Sequence, residues 1–173
     1  MPDANACGEA LPRKATLLLR DDANDAGDQL AWKWKGAAAV APADFGDPTT
    51  TDAYAVCVID RTGGVATARL VATVPPGGLC NGKPCWKSTS AGFTYTDKSA
   101  TSAGIRKIQL KAGAAGHGKA SVKGKGANLD PPSLPLAAPV TARLVRLGSP
   151  ACWEAQFSAP TKNDAAAFKA KSD

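Results

Sequence analysis

Gly113–Ala120 (GAAGHGKA) is the stretch of this chain that comes nearest to a catalytic motif. A phosphate-binding loop needs Gly, four residues, Gly-Lys and then Ser or Thr. Its hydroxyl holds Mg²⁺, and the helix that follows aims backbone N–H groups at phosphate. Here Ala120 stands at the hydroxyl position, and the following SVKGKG has two glycines and no helical period. The stretch therefore reads as a flexible hairpin turn. His117, the one histidine of the chain, lies between Gly116 and Gly118. General-base chemistry needs an imidazole held by an orienting partner. Flanking glycines hold it poorly, so His117 reads as a solvated turn residue.

Carboxylates offer little more. Asp21, Asp22, Asn24, Asp25 and Asp28 crowd one turn and have the oxygen chemistry of a Ca²⁺ loop. The spacing fails, because Ala26 and Lys33 occupy ligand positions. Local hydrogen bonding to the backbone explains the cluster better. Asp44-Phe45-Gly46 spells a kinase metal triplet without the rest of a kinase. Glycoside hydrolysis needs paired carboxylates. Glu9 and Glu154 are the glutamates, and nothing in the sequence brings either to an aspartate. The expectation is a non-enzyme with no catalytic residue, no metal and no cofactor.

The cysteines and tryptophans carry structural chemistry. Cys80 and Cys85 enclose Asn81-Gly82-Lys83-Pro84, a loop that folds back readily enough for a bridge. Cys57 and Cys152 both lie in strand-like runs, and a cross-sheet bridge between them is expected. Cys7 is then left over. With one histidine there is no Cys/His zinc set. Dispersed cysteines of this kind suit an oxidising compartment. Trp32 and Trp34 share a face with Leu30 and read as core. Trp86 and Trp153 are the candidates for stacking against sugar rings if the protein binds glycans.

These residues must be positioned by strands. Strand-like runs recur about every ten residues between Gly/Pro punctuation, the pattern of a sandwich or barrel. They are Ala15–Arg20, Gln29–Lys35, Ala53–Asp60, Val65–Val74, Trp86–Ser90, Phe93–Thr96, Val140–Leu147 and Cys152–Phe157. Ile105–Asn128 reads as a β-hairpin, with Arg106, Ile108 and Leu110 on one face and Ala120, Val122 and Gly124 on one face after the turn. Pro131, Pro132 and Pro135 make Asp130–Pro139 an extended crossing segment. Asn163–Ala170 looks helical, with Asn163 as N-cap and Ala165–Ala167 as helix formers. The fold expected is all-β, a β-sandwich of Ig-like or jelly-roll-like kind with about ten short strands. Its expected parts are an extended arm at residues 1–14, the sandwich at 15–158, and a tail with a short helix at 159–173.

The 173-residue chain has a net charge of +6, unevenly distributed. Met1–Asp60 holds ten acidic and five basic residues, whereas Lys83–Lys125 holds nine basic residues and Asp97 alone as an acid. Opposite charge at front and middle suits head-to-tail attraction between copies, or two solvated faces of opposite sign. No run is long and apolar enough to cross a membrane. The lysine-rich hairpin lacks the interleaved aromatics that stack bases, so no nucleic-acid partner is expected. No leader is visible at Met1-Pro2-Asp3, and export is inferred from the cysteines.

Several stretches together carry a resemblance. They are LLLRDDANDAGDQLAWKWKG, DFGDPTTTDAYAVCVID, PPGGLCNGKPCW, GIRKIQLKAG, VKGKGANLDPPSLPL and ACWEAQFSAPTKNDAAAFKAKSD. From about Ala15 to Asp173 the chain resembles a family of secreted, uncharacterised β-rich bacterial proteins that look like protomers of extracellular fibrils. The resemblance implies no catalytic residue. It implies a fibril subunit of the cell surface whose partner is itself, and strand addition onto an unpaired sheet edge is the mechanism of association expected. Residues 1–20 are the expected arm, with Leu17, Leu18 and Leu19 inserting into the next copy. Thr49, Thr50 and Thr51 are candidate O-glycan sites, since no Asn-x-Ser/Thr sequon exists. The alternative is a secreted carbohydrate-binding module, with glycans as the partner.

Overall fold

The computed structural model describes residues 7–173. Strand makes up 48% and no helix reaches seven residues, so the all-β expectation holds. A five-stranded sheet runs in the order β1 (Gly8–Glu9), β13 (Cys152–Phe157), β12 (Val140–Arg146), β4 (Tyr54–Asp60), β5 (Thr67–Val74). An eight-stranded sheet starts with β14 (Lys162–Asn163), β15 (Ala167–Lys171), β2 (Thr16–Arg20) and β3 (Gln29–Lys35). It continues with β11 (Lys119–Lys125), β10 (Ile105–Lys111), β9 (Gly92–Thr96) and β8 (Trp86–Thr89). A small hairpin, β6 (Leu79–Cys80) with β7 (Lys83–Pro84), stands apart. Neighbouring strands are antiparallel, except that β1 lies parallel to β13.

Alternation places the core. Leu17 and Leu19, Leu30, Trp32 and Trp34, and Ile108 and Leu110 point inward from the larger sheet. Tyr54, Val56 and Val58 and Leu144, Trp153 and Phe157 meet them from the smaller one. Aromatic rings bridge the layers: Trp86 lies 5.6 Å from Tyr54 and 5.2 Å from Tyr95, and Trp153 lies 5.3 Å from Phe45. Truncating such a ring would cost about 3–5 kcal/mol.

The hairpin expected at Ile105–Asn128 is β10 and β11, with Leu110 opposite Ala120 and Ile108 opposite Val122. One detail differs. A bulge between Ile105 and Lys107 turns both Ile105 and Ile108 inward and leaves Arg106 exposed, so strict alternation misplaces Arg106. Gly104 enters that bulge at φ 77°, where a Cβ would fall 2.4 Å from the Leu129 nitrogen.

Three expectations about the ends are corrected. The C-terminal helix at Asn163–Ala170 is absent, and the segment forms β14 and β15 instead. Phe168 and Ala170 alternate into the core, and burying them outweighs the helix propensity of the alanines. Asn163 caps no helix. Its amide donates to the Leu136 carbonyl and accepts from the Leu136 N–H, pinning the proline segment between the sheets. The tail at 159–173 is therefore part of the sandwich.

The arm is also docked over its described part. β1 pairs β13, and Leu11 N–H donates to the Lys35 carbonyl. Residues 1–6 of the expected arm lie outside the described residues. Leu17, Leu18 and Leu19 are not free to insert elsewhere. Their strand, β2, is paired on one side by β15 and on the other by β3, with Leu17 and Leu19 buried in its own core.

Candidate functional site

The two sheets treat charge differently on their outward faces. None of the eight strands of the larger sheet contains an aspartate or a glutamate. Lysines dominate the outward positions. Register puts Lys35 opposite Lys119, and Lys119 opposite Lys111, in one row across three strands. Lys107 and Lys123 face each other in another row, and Lys162 faces Lys169 near the far edge. Lys33, Lys125 and Lys171 fill neighbouring positions, with Lys87 beyond β9 and Arg20 at the end of β2.

Adjacent strands lie about 4.8 Å apart. The rows thus root lysines directly opposite one another on adjacent strands, an arrangement in which like charges are destabilising. Among the described residues the one ion pair on this sheet is Lys162 with Asp164 at 3.5 Å, exposed on both sides. Between the cations sit neutral donors and acceptors, Ser121 opposite Gln109 and Gln109 opposite Thr94. A shallow depression of about 270 Å³ is lined by Lys33, Lys111, Lys119, Gln109 and Ser121 together with the apolar Trp34 and Ala120.

The five-stranded sheet pairs its cations. Arg143 donates to Glu154 with Nη2 2.6 Å from the carboxylate, both nearly buried. Arg146 meets Asp52 at 2.9 Å, and Arg69 lies 3.8 Å from Asp60. The outward face around them is apolar, with a groove of about 580 Å³ lined by Ala55, Cys57, Val71, Thr73, Val145 and Leu147. Val71 is 56% and Leu147 41% exposed. β5, eight residues long, is the outer strand here and, among the described residues, pairs with β4 alone.

Carboxylates at the turns are fasteners. Burial raises the Asp97 carboxyl, but hydrogen bonds from Thr101 and the Ser99 N–H more than offset this and leave its pKa lowered. Asp60 behaves alike. Burial works against it, while Thr62 and the Ala137 N–H bring its pKa below the ordinary value. The cluster at Asp21–Asp28 is also turn chemistry. Asp28 accepts from the Asp22 N–H and Asp22 from the Asn24 N–H. Among the described residues no group of His, Cys, Asp or Glu could hold a metal ion.

The sequence-derived candidates now have places. Cys80–Cys85 is a disulfide, as expected. The bridge expected between Cys57 and Cys152 is not formed. Cys152 is bonded to Cys7, and Cys57 is a buried free thiol whose pKa burial raises. The reason is register. Cys57 lies opposite Arg143 on β12, and Cys152 is on β13 beyond it, whereas β1 runs beside β13 and carries Cys7 to its edge.

Trp86 and Trp153 offer no stacking platform, since they are 2% and 4% exposed. The Trp86 indole N–H donates to the Pro75 carbonyl, and the Trp34 N–H to that of Glu154. Thr50 and Thr51 are exposed at a loop, yet all three threonine hydroxyls are engaged locally. Thr49 and Thr50 donate to the Asp47 carboxylate, and Thr51 to that of Asp52. His117 is exposed on the β10–β11 turn. The hairpin reads as lysine-rich from the sequence, but its union with β3 and β15 into one face does not, although alternating lysines in QLAWKWK, KASVKGK and AFKAK are its signal.

No helix among the described residues is long and apolar enough to cross a membrane, and the two disulfides are compatible with an extracellular protein. No family model, curated protein or solved structure matches this chain.

Proposed function

We propose that this chain is a structural subunit of a bacterial extracellular or surface fibril, joining copy to copy by strand addition. The observation that carries the reading is β5, a long sheet edge whose outer side has no strand partner among the described residues. Edges of this kind are usually shortened or guarded by charge, proline or a bulge. The other edges are brief: β1 and β14 have two residues each and β8 four. On β5 the one charged side chain, Arg69, leans toward Asp60. The bulge opposite it lies between Val58 and Ile59, so Leu70–Val74 remains regular. Val71 stands exposed beside the apolar groove, ready to pack as main-chain hydrogen bonds form.

The added strand comes from a segment other than Leu17–Leu19, which the subunit uses itself. Negative-stain images and light scattering over a range of concentrations test the reading. Fibres that lengthen with concentration are expected, and Val71→Lys should leave folded, shorter assemblies. A monodisperse single particle at every concentration would overturn it.

A further inference from the structure

We propose that the outward face of the eight-stranded sheet binds an extended acidic polysaccharide. The occupant is named by charge and by what the face lacks. Rows such as Lys35–Lys119–Lys111 set like charges against one another on adjacent strands with no acid in the sheet to relieve them. A row of closely spaced anions laid across the strands relieves them all at once. The lattice reaches from β14 to β8, so it suits a long chain and not a single small anion.

The chemistry between the lysines favours sugar. Ser121 and Gln109, which line the depression with Lys111 and Lys119 and are joined by a long 3.5 Å hydrogen bond from the Ser121 hydroxyl, match the hydroxyls of a saccharide. Nucleic acid fits less well. The outward positions carry no aromatic side chain for base stacking. They are also nearly all lysine, a point charge, where arginine is the fork that grips phosphate in two places. An anionic bilayer fits less well again. The exposed large apolar residues, Val65, Val71, Leu79 and Leu147, all lie off this sheet, so nothing here would enter a lipid interface. Two disulfides suit an oxidising compartment, which is where acidic polysaccharides are met.

This face is separate from the β5 edge, so it binds whether or not copies assemble. The test uses fluorescently labelled polygalacturonate, its methyl-esterified neutral form, single-stranded and duplex DNA, and vesicles containing anionic lipid. Each is titrated against the native chain and against Val71→Lys. The polyuronate should bind both and weaken steeply as salt rises from about 50 to about 500 mM. The neutral ester should not bind. Lys35→Ser, Lys111→Ser and Lys119→Ser combined should weaken binding at least about tenfold with the thermal transition unchanged or raised. Arg61→Ser with Lys83→Ser, off the sheet, should leave binding as it was. Absence of polyuronate binding, insensitivity to the triple substitution, or equal or tighter binding of DNA or vesicles would each overturn the proposal.

Discussion

The two sheets of the sandwich are built on the same pleated scaffold and differ in what accompanies each cation. On the five-stranded sheet Arg143, Arg146 and Arg69 each reach a carboxylate. On the eight-stranded sheet lysine faces lysine across the strands. Arginine on the first face is a structural clamp, planar and committed to a partner. Lysine on the second keeps its head in water while its stem lies over the sheet. Positive charge without acid is therefore gathered on the strands of one sheet, and the outward face of the other is largely apolar. One face is suited to contact through dispersion and main-chain pairing, the other through charge.

The largest test of this contrast removes the staple on the neutral face. Cys7→Ser releases a loop of sequence separation 145 and frees β1 from β13. On the chain-entropy view it should cost about 5 kcal/mol, read as a lowered midpoint in urea. Opening Cys80–Cys85, with separation 5, should cost only about 2 kcal/mol by the same reasoning.

Next in size is charge removal on each face. Glu154→Gln replaces the carboxylate beside the nearly buried Arg143 guanidinium with a neutral amide and should destabilise by about 2 kcal/mol. Lys119→Ser on the opposite sheet should move stability by less than about 0.5 kcal/mol, in the stabilising direction if at all. Equal losses in the two variants would erase the distinction between clamp and display.

The smallest effect is with acid. Asp52 and Asp60 have folded pKa values below the ordinary range of an aspartate carboxyl. The backbone N–H of Asp47 acts first on Asp52, while at Asp60 the hydrogen bonds overcome burial. A group held lower in the folded state favours folding while it is charged. That contribution is full above about pH 4 and fades as pH falls through the depressed values. The melting temperature should be level from about pH 5 upward and drop below about pH 4. Asp60→Asn should flatten the drop while lowering the plateau.

Much of the fold could be read along the chain because strands announce themselves locally. The alternation of QLAWKWK and of CWEAQF, and the glycine turn between two alternating runs, mark β3, β13 and the β10–β11 hairpin to within a residue or so. The Cys80–Cys85 bridge was legible for the same reason, since its partners are neighbours in the chain. The candidate site was less so. Lysine at alternate positions says that a face is solvated, but not which faces adjoin.

Sequence alone determined the class of fold, the core-facing residues of most strands and the uneven charge along the chain, since each depends on period and composition within a few residues. Tertiary structure decided the rest. It joined Cys7 to Cys152 because β1 lands beside β13. It drew an alanine-rich tail into a strand because Phe168 had a core to enter. It seated Leu17 and Leu19 in their own sheet and set Lys35, Lys119 and Lys111 in one row. Strand order and register are properties of the closed sheet, and no local stretch of chain contains them.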